Sequence, residues 1–292
     1  VRAVLLSAGG YGASAFVLAI PSEPVLEMTD LEWTVAMRLF LSIRCSYPLP
    51  IHCLCMRPAG GGVLGGTAPG DLDMYGHHLT TCAGVRGNTY IAGVHDILVR
   101  EWERFFTSCG FIVIHEYRVN DPLSEDRIDF WIYDFFGARC GFDVSLACPT
   151  AITHLSPARG SSVSPGYAAR SREAEKRRKY ADIARDQEFT VVPLVMETIG
   201  GAWGPTARDV FRRAIRFSHR NRDALNRAGL AYTQLAAYWM RRLSTRLAAL
   251  VARHTHSMCT RVTSDLRDIP ALDDAVASMI VQEAAQADRF GG

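Results

Sequence analysis

A chain of 292 residues that is 48% hydrophobic can bury one large core or two small ones. Its glycine-broken apolar start, "VRAVLLSAGGYGASAFVLAI", holds no continuous run of about 20 apolar residues, so no membrane span is expected there, and no signal peptide is visible in it. The net charge of +2 hides an asymmetry: residues 159–261 carry 20 Lys and Arg against 8 Asp and Glu, so the remainder is acidic. A nucleic-acid surface beside a metal site would look like this, and so would a set of solvated helix faces.

The eight cysteines, at 45, 53, 55, 82, 109, 140, 148 and 259, are expected as free or metal-bound thiols in a reducing compartment. A start at Val1 rather than Met is compatible with a piece of a longer product. Residues 1–24 carry no clear pattern. Leu31, Val35, Leu39 and Ile43 share helical spacing and predict a short amphipathic helix. A glycine-rich loop follows at 60–70. Ile91, Val94, Leu98, Trp102, Phe105 and Phe106 predict a second helix, stopped by Gly110. Strands are predicted over 111–119, 127–135 and 139–147, each β-branched or aromatic and bounded by turn residues. A charged helix is expected at 168–187, then a buried strand at 189–197 whose Pro193 argues for a sheet edge or a bulge. Pro205 opens a further helix, and a longer one covers roughly 222–253 before a peripheral tail. The order α-β-β-β-α-β, then helices, predicts an α/β protein with a mixed sheet.

Two strands of this series each carry one aspartate, Asp129 and Asp143, among apolar neighbours. Phe136 lies midway between them, so a turn centred there makes them cross-strand partners on one face. Ile128, Phe130, Phe142 and Val144 would then share the opposite, core face. Two carboxylates that close repel by about 4 kcal/mol at an effective dielectric near 20. Either one is protonated, or a divalent cation such as Mg²⁺ lies between them, or both point to solvent at the sheet edge. On the next helix Glu173, Lys176 and Tyr180 share a face, with Lys179 beside Lys176. A lysine near a scissile phosphate can orient water or offset developing charge. A salt-bridged surface helix, with Glu175 pairing Lys179, is the plainer alternative.

"RID" at Asp129, "DVS" at Asp143 and the later "KRRKY" together resemble the restriction-like endonuclease at the C-terminal end of site-specific non-LTR retrotransposon proteins, within the PD-(D/E)-x-K superfamily. The resemblance implies a restriction-endonuclease-like core. It also implies Mg²⁺ or Mn²⁺ on Asp129 and Asp143, with Lys176 or Lys179 as the catalytic lysine. Ser145 stands where the superfamily's usual lysine would be, and Ile128 replaces the motif's proline. Glu101 or Glu103 would correspond to the helical acidic ligand. Upstream, "CLC" (Cys53, Cys55) and "GHHLTTC" (His77, His78, Cys82) resemble the zinc knuckle preceding this nuclease. Three thiolates and one imidazole, from His77 or His78, suit a structural Zn²⁺; reduced thiols and surface histidines are the alternative.

The expected organisation is a linker with a short helix (1–50), a zinc-knuckle-like segment (51–88), an endonuclease core (89–205) and a basic helical region (206–292). The implied function is divalent-metal-dependent nicking of DNA in the nucleus, without membrane association. Arg208, Arg212, Arg213 and Arg216 would contact phosphates, or simply form a solvated face. An inactive, retroelement-derived nucleic-acid-binding module is the alternative, and a zinc-stabilised interaction protein is a third. Tyr180 is expected to pack, and His95 and His115 to be structural. Glu197 reads as a surface acid at a strand end.

Overall fold

Turn residues at the middle of the chain set the sheet. Phe136 and Gly137 both take left-handed backbone conformations, and Gly137 N–H donates to Asp134 Oδ1. This closes β2 (Arg127–Ile132) onto β3 (Cys140–Ala147) with Phe130 opposite Phe142, the register a turn centred on Phe136 dictates. The computed structural model describes residues 1–19, 23–44, 74–80, 89–118, 127–155, 160–221 and 231–267. Its sheet runs β1 (Ile114–Arg118), β2, β3, β4 (Thr190–Glu197). The first three strands are antiparallel and β4 lies parallel to β3, so the chain is α/β with a four-stranded mixed sheet. Pro193, which has no N–H to give, stands on the edge strand opposite Asp143.

Helices cover both faces. Phe130, Ile132, Phe142, Val144, Leu194 and Met196 join the main core with Trp102, Phe105 and Phe106 of α3 (Thr89–Ser108). The same core takes residues of α6 (Pro205–Arg220) and α7 (Tyr232–Arg267). Phe130 and Phe142 stack at 4.9 Å, and Phe106 lies 4.9 Å from Phe142. On the other face Ala147 and Val195 pack with Ala168 and Ala169 of α4 (Tyr167–Lys179). Trp131 packs there with Tyr180 and Phe189. Strand β3, covered on both sides, therefore reads as an apolar run with polar exceptions.

Some predicted bounds shift for physical reasons. The helix expected at 168–187 breaks at Tyr180 into α4 and α5 (Ala181–Asp186). The unpatterned start contains α1 (Arg2–Ala8), whose seven residues are too few to display a period. In α2 (Asp30–Leu41) Thr29 and Glu32 form a capping box, and Val35 and Leu39 point inward. Leu31 and Ile43 do not join them; both are exposed, Ile43 beyond the helix end. The last helix runs on past 253 to Arg267. No helix among the described residues is long and apolar enough to cross a membrane.

Candidate active site

The site forms where β2 and β3 part. Their ladder pairs Ile132 with Cys140, Trp131 with Gly141 and Phe130 with Phe142. Beyond Phe130 the alternation of faces fails. Ile128 packs with Trp131, Tyr180 and Phe189, although residues three apart in a regular strand face opposite ways. The expectation that Ile128 shares the core face with Phe130 is therefore overturned. Gly141 makes room for this: a Cβ there would lie 3.1 Å from Ile128 and 3.3 Å from both Trp131 and Phe189.

Asp129 sits at this break, so strand parity does not set its direction. Its Oδ2 accepts the Val144 N–H at 2.6 Å. His95 of α3 brings Nε2 to 3.0 Å from the Val144 carbonyl and 3.3 Å from Asp129 Oδ2. A carboxylate and an imidazole thus serve both backbone groups of Val144. The carbonyl can only accept, so Nε2 carries the proton. Burial alone would lower the His95 pKa; the hydrogen bond and charge of Asp129 outweigh it and raise the value to about 9. His95 is thus the partner of Asp129, a role its sequence neighbourhood did not signal, because the pair is tertiary.

Asp143 is buried and accepts hydrogen bonds through both carboxylate oxygens. Lys176 Nζ donates to its Oδ1 at 2.9 Å, Tyr180 OH donates to the same oxygen at 3.2 Å, and Ser145 Oγ donates to Oδ2 at 3.0 Å. Lys176 and Tyr180 lie four apart, which brings both to one side of the α4 end. Lys179 lies instead over the Tyr180 ring, 4.8 Å from its centre. Tyr180 does pack, as expected, and also orients the acid. Each acid is matched to a basic side chain of its own, Asp129 to His95 of α3 and Asp143 to Lys176 of α4.

Other candidates are placed elsewhere. Glu101 is buried against Arg242 of α7 and Arg104, and Glu103 bonds His115 at 2.5 Å. Neither contacts Asp129 or Asp143. Glu175 pairs with Arg172 rather than Lys179. Arg212, Arg213 and Arg216 are exposed along α6 and Arg208 is half-buried; Arg212 covers the Tyr11 ring and Arg213 the Phe136 ring. Glu197 is buried, not a surface acid, and accepts the Ala169 N–H at 3.2 Å. Cys53, Cys55 and Cys82 lie outside the described residues. His77 is buried, with its ring stacked on Tyr75, and His78 is half-buried. Among the described residues no group of three or more His, Cys, Asp or Glu is arranged to hold a metal. Mg²⁺ needs only one or two carboxylates with waters, so the donor chemistry of Asp129 and Asp143 suits it. No protein-family model, curated protein or solved structure matches the chain.

Proposed function

We propose that this chain is a divalent-metal-dependent endonuclease domain that nicks DNA, of the PD-(D/E)-x-K kind found in site-specific non-LTR retrotransposon proteins. The contact between Lys176 and Asp143, at 2.9 Å across two elements, carries the reading. The order α3, β1, β2, β3, α4, β4 supports it. Asp129 and Asp143 would hold Mg²⁺ or Mn²⁺, which when bound supplies charge to activate water and stabilise the leaving oxygen. Lys176 spends one of its three donors on Asp143 and offers the others to a phosphate oxygen. Tyr180 and Ser145 hold the Asp143 carboxylate from either side. The exposed arginines of α6 would bind the strand through its phosphates, with an affinity that falls as salt rises. A structural zinc on Cys53, Cys55, Cys82 and His77 or His78 belongs to the same proposal.

The experiment is nicking of supercoiled DNA with Mg²⁺ or Mn²⁺. Asp143→Ala and Lys176→Ala are expected to lose roughly 100-fold or more of the rate, and Lys179→Ala far less. Equal nicking by Asp143→Ala refutes the catalytic reading. A second reading, an inactive nucleic-acid-binding module, is favoured by one observation: each acid already has a cationic partner of its own. Salt-dependent DNA binding in EDTA, without nicking in either metal, is its signature.

A further inference from the structure

Arg212, Arg213, Arg216 and Arg220 of α6 are exposed, and none pairs with a carboxylate among the described residues. The acids nearest to them in the helix and at the hairpin tip are answered locally: Asp209 pairs with Arg208 at 3.2 Å, and Asp134 accepts the Gly137 N–H. Two of the four arginines lie over rings. Arg212 is 4.8 Å from the centre of the Tyr11 ring, and Arg213 is 4.4 Å from that of Phe136. Arg216 and Arg220 lie over no ring among the described residues. Both rings are themselves held. The Tyr11 carbonyl accepts the Trp203 N–H at 3.0 Å, and its ring meets Trp203 edge-on at 5.7 Å. Phe136 sits at the hairpin tip against Phe111, Phe135 and Phe217. Its backbone is left-handed, which bulky L-residues rarely adopt, and it is still 40% exposed, so burial alone does not account for a phenyl ring there. A guanidinium backed by a ring has given up rotamer freedom before a ligand arrives, and its planar fork still matches a phosphate.

We infer that Tyr11 and Phe136 are positioning residues for the backbone of a DNA duplex: they preset Arg212 and Arg213 as its two fixed phosphate contacts. The choice of DNA rests on the proposed function; the ranking of the arginines does not, since charge alone makes all four equivalent. The binding surface then extends from α6 to the N-terminal segment on one side and to the hairpin tip on the other, and two uncharged side chains set part of its affinity. A merely solvated arginine face would owe nothing to those rings.

The test is fluorescence anisotropy of the full chain in EDTA with a short labelled duplex, over a series of salt concentrations. Arg212→Lys with Arg213→Lys keeps every charge and gives up the planar contact with the rings. That pair of changes should weaken binding about tenfold, the worth of two exposed cation–ring contacts, with the salt slope unchanged. Arg216→Lys with Arg220→Lys should lose less than about twofold. Tyr11→Leu and Phe136→Leu should each weaken binding about two- to fivefold although they remove no charge, and Tyr11→Phe and Phe136→Tyr, which keep a ring, should restore it. Circular dichroism checks that the leucine variants are folded; if either is not, the lysine pairs, which leave the rings untouched, decide alone. Equal losses in the two lysine pairs, or wild-type affinity in folded leucine variants, overturn the inference. Phosphatidylserine vesicles bound as tightly as the duplex overturn DNA as the partner. Duplex binding with these effects but no nicking sinks the endonuclease and leaves this inference standing; nicking with the two lysine pairs alike does the reverse.

Discussion

Asp129 and Asp143 are each matched to a basic side chain from a different helix, His95 and Lys176. Glu197 has no such partner among the described residues. It is buried at the end of β4, and burial raises its pKa above the ordinary carboxylate value, against the hydrogen bond from the Ala169 N–H. A folded-state pKa above the unfolded one means that this group's stabilising contribution is full at pH below the unfolded value. It is lost as pH rises through the folded value. Glu197→Gln keeps an acceptor and never ionises. It is expected to raise the melting temperature at pH 7 relative to the wild type, with the gain shrinking towards about pH 4. Calorimetry at both pH values checks this; a gain independent of pH would assign the effect to packing. The sequence placed this acid at the end of an apolar run, but α1 and α4, which bury it, come from elsewhere in the chain.

Helix α6 starts without a side-chain cap of its own, since Gly204 is its N-cap and Pro205 follows. Glu173 of α4 supplies the acceptor instead, taking the Thr206 N–H at 3.0 Å and the Thr206 hydroxyl at 2.7 Å. A carboxylate at a helix start also complements the helix dipole. The approach is close enough that a Cβ on Gly204 would stand 2.1 Å from Glu173 Oε1. Gly204→Ala is therefore expected to destabilise the fold by about 2–3 kcal/mol, measured by chemical denaturation. A loss below about 0.5 kcal/mol would show that the two helices separate freely. Helix α2 makes the contrast. Its Thr29–Glu32 capping box lies within four residues of sequence and is visible there, whereas a cap supplied from 33 residues away is not.

At the scale of the molecule, α7 is tied to α3 by a buried charge cluster. Arg242 bonds Glu101 at 2.8 Å and also bonds Glu23, while Arg246 lies 3.6 Å from Glu101. Glu101→Gln leaves buried guanidinium groups short of a counter-charge and is expected to cost about 3–5 kcal/mol in urea unfolding. Arg104→Gln, at the exposed end of the cluster, should cost less than about 1 kcal/mol. Equal losses would mean that solvent reaches the whole cluster. A single hydrophobic cluster joins Val4 of α1, the α2 residues, the sheet and Ala252 of α7, so these helices share their interior with the strands. By itself the sequence determined the order of elements and the hairpin register, because turn geometry and hydrophobic period act over a few neighbouring residues. It also brought Lys176 and Tyr180 to one side, by helical spacing alone. Tertiary structure decided where β2 leaves its ladder, which histidine meets Asp129, and that Arg242 of α7 answers the buried Glu101 of α3. Each of those depends on groups tens of residues apart whose burial and charge are settled only when the layers close.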